Sequence, residues 1–175
     1  EDLWSTKDFE RALNHDFIRS VSETVSYLRI VHGDDGLLER LRLARDKGKL
    51  IEGHTTGASW DRLNALAYRG VLSCHEALHA KDVMNRLRLG FHVMLRHGSI
   101  RQDMARYMEA LRAAEAFDTS RIMLVSDGIF ADHLVEWGNM DWVVAEAVRC
   151  GLDPVRAVQM ATLNPARYFR MDHRV

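Results

Sequence analysis

Short apolar runs alternate along this chain with longer segments whose apolar residues recur at helical spacing. The runs Phe17–Ser22, Leu50–Gly53, Val71–Cys74, Phe91–Leu95 and Ile122–Val125 read as strands. Between them lie helical patterns. Trp4 to Asn14 is the first, with Ser5 or Thr6 as its cap. Gly36 to Lys47 repeats leucine at 37, 38, 41 and 43 and is closed by Gly48. Asp61 to Arg69 puts Leu63, Leu66 and Ala67 on one face, and Ala80 to Leu89 ends at Gly90. Ile100 to Phe117 and Met140 to Cys150 continue the series, and Asp153 caps a last helix that has Pro154 at its first position. Strands that alternate with helices of about 10 to 15 residues predict βα units and a parallel sheet. A complete eightfold barrel usually needs ~200 residues or more. Five units therefore predict either an open sheet or most of a barrel without its first strands.

Polar residues able to bind metal come directly after the strand runs. Glu23 follows Ser20-Val21-Ser22, His54 follows Gly53, His75 follows Cys74, and Asp127 follows Val125-Ser126. In parallel βα folds the residues past the C-terminal strand ends share one face, where active sites sit. A glutamate, two histidines and an aspartate gathered there supply nitrogen and oxygen donors suited to zinc, iron or manganese. Each has a plainer role when taken alone. A histidine after a strand often caps a backbone carbonyl, Asp127-Gly128 is a ready turn, and Glu23 alone would be a surface carboxylate. The functional reading rests on all four holding the same relative place in successive units.

These segments resemble the adenine deaminases, a family of the metal-dependent amidohydrolase superfamily, over roughly residues 20 to 172. Leu50-Ile51-Glu52-Gly53-His54-Thr55-Thr56-Gly57 is similar to the family's fifth-strand metal motif, and Ser73-Cys74-His75-Glu76 to its sixth. Val93 to Ser99 is similar to its seventh-strand segment, and Val125-Ser126-Asp127-Gly128 to its eighth. Gln159 to Ala166, with Asn164-Pro165-Ala166, is similar to the helix that follows. Glu23 sits where the family carries its bridging glutamate, with Ser22 in place of the usual glycine. The resemblance implies a partial (β/α)8 barrel, approximately strands 4 to 8, forming a single domain over residues 1–175. It implies two divalent metals (Mn, Fe or Zn) in the complete enzyme. Glu23 would bridge them, His54 and His75 would bind one, and Asp127 would bind the other and carry the proton. A metal-held hydroxide would attack C6 of adenine and release ammonia, leaving hypoxanthine. Arg96 and Ser99 are candidate substrate contacts. The family's first-strand His-x-His pair has no counterpart in this sequence. The expectation is a fragment that lacks the first strands and is inactive alone.

Composition alters this picture little. Hydrophobic residues are 47% and charged residues 28%, an ordinary globular balance, and the net charge of −1 lacks the basic footprint of a nucleic-acid binder. Arg40, Arg42, Arg45, Lys47 and Lys49 are interleaved with acids and read as a solvated helix face. Two cysteines make no disulfide framework or zinc ribbon, and no run approaches the roughly 18 apolar residues of a membrane span. A cytoplasmic homo-oligomer acting on a purine-like small molecule is expected, without nucleic acid or membrane.

Other readings compete. His75-Glu76-Ala77-Leu78-His79 spells the zinc-protease H-E-x-x-H, but it follows a strand and precedes the helix that starts near Ala80, so His79 is expected at a helix start. His92 and His97 read as strand-end packing, Asp132-His133 as a solvated pair or part of a lid, and Trp137 and Trp142 as packing residues. Met104, Met108, Met123, Met140 and Met160 read as core gap-fillers. Hydrolysis of a cyclic amide or N-acyl substrate, and a non-catalytic half-barrel, are the alternatives to deamination.

Overall fold

A computed structural model describes residues 4–113 and 119–174. The fold is mixed α/β with parallel strands. It divides into two compact units, 1–74 and 75–175.

The first unit runs α1 (Thr6–Leu13), β1 (Ser20–Thr24), α2 (Tyr27–Val31), α3 (Asp35–Asp46), β2 (Leu50–Gly53), α4 (Trp60–Tyr68) and β3 (Ser73–Cys74). Side-chain caps explain where several helices start. Ser5 accepts from Asp8 N, Asp34 from Leu37 N and Ser59 from Arg62 N, each filling a backbone donor that the first turn leaves unpaired. β1 and β2 are parallel, pairing Ser20 with Leu50, Val21 with Ile51 and Thr24 with Gly53, with an irregularity between Val21 and Thr24. Ile51 also bridges Val71 in parallel. Ile51, Leu63, Leu66 and Val71 are buried at the centre of this unit.

β1 lies later in the chain than the apolar run Phe17–Ser22 predicts. Phe17 is 76% exposed and stacks on His15 instead of entering a sheet. Pairing with β2 carries the strand on to Thr24, so Glu23 stands inside β1 and not beyond it. The basic run lies on and just after α3, where Arg42 pairs with Asp46 and Lys47 with Glu10, as a solvated face should.

The second unit contains α5 (Ala80–Arg88), β4 (His92–Arg96), α6 (Met104–Ala113), β5 (Ile122–Val125), α7 (Ala131–Trp137), α8 (Met140–Arg149), α9 (Pro154–Ala161) and α10 (Leu163–Tyr168). The predicted helix Ile100–Phe117 starts later, at Met104, and its positions 114–117 lie outside the described residues. β4 and β5 are parallel, pairing Val93 with Ile122, Met94 with Met123, Leu95 with Leu124 and Arg96 with Val125. Val93, Leu95, Ile122, Met123 and Leu124 are all buried, which is the near-continuous apolar run of a strand covered on both faces. Asn164 Nδ2 donates to Thr119 O and Ile122 O, so the Asn164-Pro165-Ala166 segment ties α10 to the start of β5. Among the methionines, Met104, Met108, Met123 and Met160 are buried, whereas Met140 is only partly covered. No helix among the described residues is long and apolar enough to cross a membrane.

The segments after β4 and β5 are pressed together. His97 N donates to Val125 O, and Ser99 N to Gly128 O. A Cβ on Gly98 would meet Ser126 O at 2.1 Å and Gly128 O at 2.7 Å, both backbone atoms. Only glycine allows this approach. Gly98→Ala is expected to lower stability by about 1–3 kcal/mol in urea unfolding. Gly36→Ala, whose Cβ would meet Asp34 Oδ1 at an ordinary 3.7 Å, should leave stability unchanged or raise it.

Candidate metal and proton-transfer site

In the first unit, the parallel pairing of Thr24 with Gly53 brings Glu23 beside the residue that follows β2. His54 N donates to Thr24 O, and His54 Nδ1 stands 3.5 Å from Glu23 Oε1. The other ring nitrogen, Nε2, is 3.3 Å from Thr56 Oγ1. Both side chains are partly open, 28% for His54 and 36% for Glu23, as groups that meet a ligand must be. Ser73 supports the strand end, donating to Glu52 Oε2 at 2.6 Å while its hydroxyl accepts from Gly53 N at 3.2 Å.

In the second unit, His75, Glu76 and Asp127 each offer a ligand atom, and these atoms lie within 4.8 Å of one another. His75 Nε2 is 3.9 Å from Glu76 Oε1. Asp127 comes two residues after β5 at φ +48°, followed by Gly128 at φ +86°, as a turn there requires. Its side chain is 39% exposed, whereas that of Glu76 is 6% exposed.

Arg96, the last residue of β4, lies between these carboxylates. Its Nη1 pairs with Glu76 Oε1 and donates to Asp127 Oδ2. Burial disfavours the guanidinium charge, but the hydrogen bond to Asp127 and the negative charge of Glu76 outweigh it, and its pKa is raised. Ser99, the other candidate substrate contact, uses its hydroxyl within the protein. Phe130 N donates to it at 2.8 Å and His133 Nδ1 lies 2.9 Å away.

Sequence reasoning did not count Glu76 as a site residue. In the sequence Glu76 stands only within the strand motif Ser73-Cys74-His75-Glu76 and the H-E-x-x-H pattern. The signal was its place directly after His75, but the arginine that makes its burial tolerable comes from β4, 20 residues on. The segment around Glu76 is held from two sides. Tyr107 donates to Ala77 O at 3.0 Å, and Leu78 N donates to Asp82 Oδ2 at 3.2 Å.

The protease geometry does not form. Residues 75–79 are not helical, His79 is the extended N-cap of α5, and its side chain is 64% exposed beside Asp82. The two histidines therefore lack the one-turn helical spacing that the H-E-x-x-H motif needs. The remaining aromatic groups pack among themselves. His97 is buried against Trp142, with ring centroids 4.6 Å apart, and burial lowers its pKa. His92 lies against Tyr168 at 4.4 Å. Trp137 lies 5.0 Å from Trp142 and stacks on His133 at 3.7 Å. Asp132 and His133 stand on α7, where Asp132 Oδ1 accepts from His133 N.

Residues 26–175 match the amidohydrolase family, and the chain belongs to it. Within that family it is similar to the adenine deaminase of Cenarchaeum symbiosum, 46% identical over 124 residues, which are 71% of this chain and 20% of the relative. It is also similar to the adenine deaminase of Rubrobacter xylanophilus, 38% identical over 157 residues, 89% of this chain and 26% of the relative. The chain thus spans about a fifth to a quarter of the length of these curated relatives. Both bear the name of the family that the strand-end motifs resemble.

Tyr107 gives a test of how the Glu76 segment is held. Burial pushes its hydroxyl up to about 12 from 10.0. Tyr107→Phe leaves Ala77 O without its donor and is expected to cost about 1–2 kcal/mol in chemical unfolding. Because the folded-state value is raised, this group's contribution is fully present below pH 10 and is lost as pH rises toward 12. That alkaline component should be missing from the phenylalanine variant.

Proposed function

We propose that this chain is part of the catalytic barrel of a metal-dependent adenine deaminase. The observation that carries the reading is the cluster of His75 and Asp127, with ligand atoms within 4.8 Å, in a chain of the amidohydrolase family. The similarity to adenine deaminases supports the substrate. On this reading the strands are approximately the fourth to eighth of a (β/α)8 barrel, and residues 1–175 are one domain of a cytoplasmic homo-oligomer. The family's first-strand His-x-His pair has no counterpart in this sequence, and on this reading the segment alone is expected to be inactive.

The donor set fits divalent first-row metals, since imidazole nitrogens and carboxylates suit zinc, iron and manganese. Glu23, His54, His75 and Asp127 are the proposed ligands. When bound, such metals supply a water acidic enough to act as a nucleophile near neutral pH. Asp127 does the proton work. Its carboxylate takes a proton from the attacking water as the C6–O bond forms. It then delivers that proton to the amino nitrogen as the C6–N bond breaks, and ammonia leaves. The products are hypoxanthine and ammonia. Exposure of the Asp127 carboxylate suits this exchange, because a proton carrier must reach the substrate.

The test is metal content and adenine loss, measured on the protein at its natural length and on this segment alone. Asp127→Asn is expected to lower kcat by about 100-fold or more, and His75→Ala to lower bound metal, while His79→Ala leaves both unchanged. A protein that binds metal but leaves adenine intact would move the substrate elsewhere in the amidohydrolases. One that binds no metal would remove the ligand assignment.

A further inference from the structure

We infer that Glu76 and Arg96 are positioning residues for Asp127. Arg96, anchored on the buried Glu76, holds Asp127 by Oδ2 and so fixes the direction in which its other oxygen, Oδ1, faces the metal and the proton it moves. The inference rests on the reading of Asp127 as proton carrier and adds two residues to it.

The argument begins with Glu76, which is 5% exposed. A buried carboxylate is tolerated only when a charge or strong donors meet it. Arg96 meets it and is itself 8% exposed, so the pair forms a fixed post and not a surface contact. The post is rigid at both ends. Arg96 closes β4 and pairs in register with Val125 of β5, while the Tyr107 and Asp82 hydrogen bonds fix the backbone just after Glu76.

Asp127 is in the opposite situation. It sits on a loop, at positive φ, with its side chain 39% exposed. Among the described residues, Arg96 is the hydrogen-bond partner of its carboxylate. An aspartate on a loop has free side-chain torsions, and a proton carrier has to be held in line with the proton it moves. A guanidinium on one oxygen removes that freedom, yet it cannot give up its own proton at working pH. It therefore orients the carboxylate without competing for the proton. Lysine, a single point charge on a flexible stem, would do this less well.

The test compares Glu76→Gln, Arg96→Gln, Arg96→Lys and Asp127→Asn in the manganese-loaded protein at its natural length. Three quantities are read: adenine kinetics, metal per chain and melting temperature. The expected result for Glu76→Gln and Arg96→Gln is a kcat lower by about 10- to 100-fold, with KM little changed and metal content kept. Arg96→Lys should recover part of the loss. A KM rise with kcat kept would overturn the inference by making Arg96 a substrate contact, and an unchanged kcat would overturn it outright. The melting temperatures need no turnover. Arg96→Gln and Asp127→Asn should be less than additive when combined, because either one breaks the same contact. Additive shifts would dismiss the clamp. If the wild-type protein leaves adenine untouched, the deaminase reading fails by itself, and the melting cycle still decides whether Arg96 holds Asp127.

Discussion

A buried arginine must be matched by negative charge, and in this protein that requirement organises the second unit. Arg96 ends β4 and is nearly covered, and removing a partner from such a buried pair costs about 3–5 kcal/mol in general. Its two partners come from separate places: Glu76 from the irregular segment before α5, and Asp127 from the loop after β5. The strand register sets the distance between them. Arg96 lies opposite Val125, so the two residues after Val125 lead the chain to where a carboxylate meets the guanidinium. Gly98 closes the arrangement by letting the backbone of 126–128 approach without a side chain between.

The same charges give the site its chemical character. Two carboxylates and an imidazole lie within a few ångströms of one another, and a single guanidinium balances part of the negative charge. Three groups able to donate to a divalent cation are therefore gathered here, with part of their negative charge already met by Arg96. The buried Glu76 is structural in this scheme, and the half-open Asp127 is reactive. Environment alone separates the roles of two otherwise similar groups.

Much of this was legible in the chain. β2 and β5 fall where their apolar runs lie, because each is a short run bounded by clear stops. The helices α5, α8 and α9 follow from period and capping, with Asp153 and Pro154 marking the last of them. Other features depend on contacts that no local pattern records. β1 is set by its pairing with β2 and not by Phe17, which is exposed. α2 spans only Tyr27–Val31, too short for a period to show. α7 has no buried residue and exposes Leu134 and Val135, so its apolar positions do not mark a core face. Among the candidate site residues, His54, His75 and Asp127 stand out by their place after strands, whereas Glu23 follows the apolar run that predicts β1 but lies within the strand itself. Glu76 does not stand out, because its meaning comes from an arginine distant in sequence.

The central claim, that strand-end residues of this chain hold a catalytic metal beside a clamped aspartate, is tested most directly by anomalous diffraction. The measurement would be made on crystals of the natural-length protein grown with manganese. The account predicts metal density beside His75 and beside Asp127, with Arg96 still bonded to Asp127 and to Glu76. A protein with no metal at His75 and Asp127, or one in which Arg96 has left both carboxylates, would contradict it.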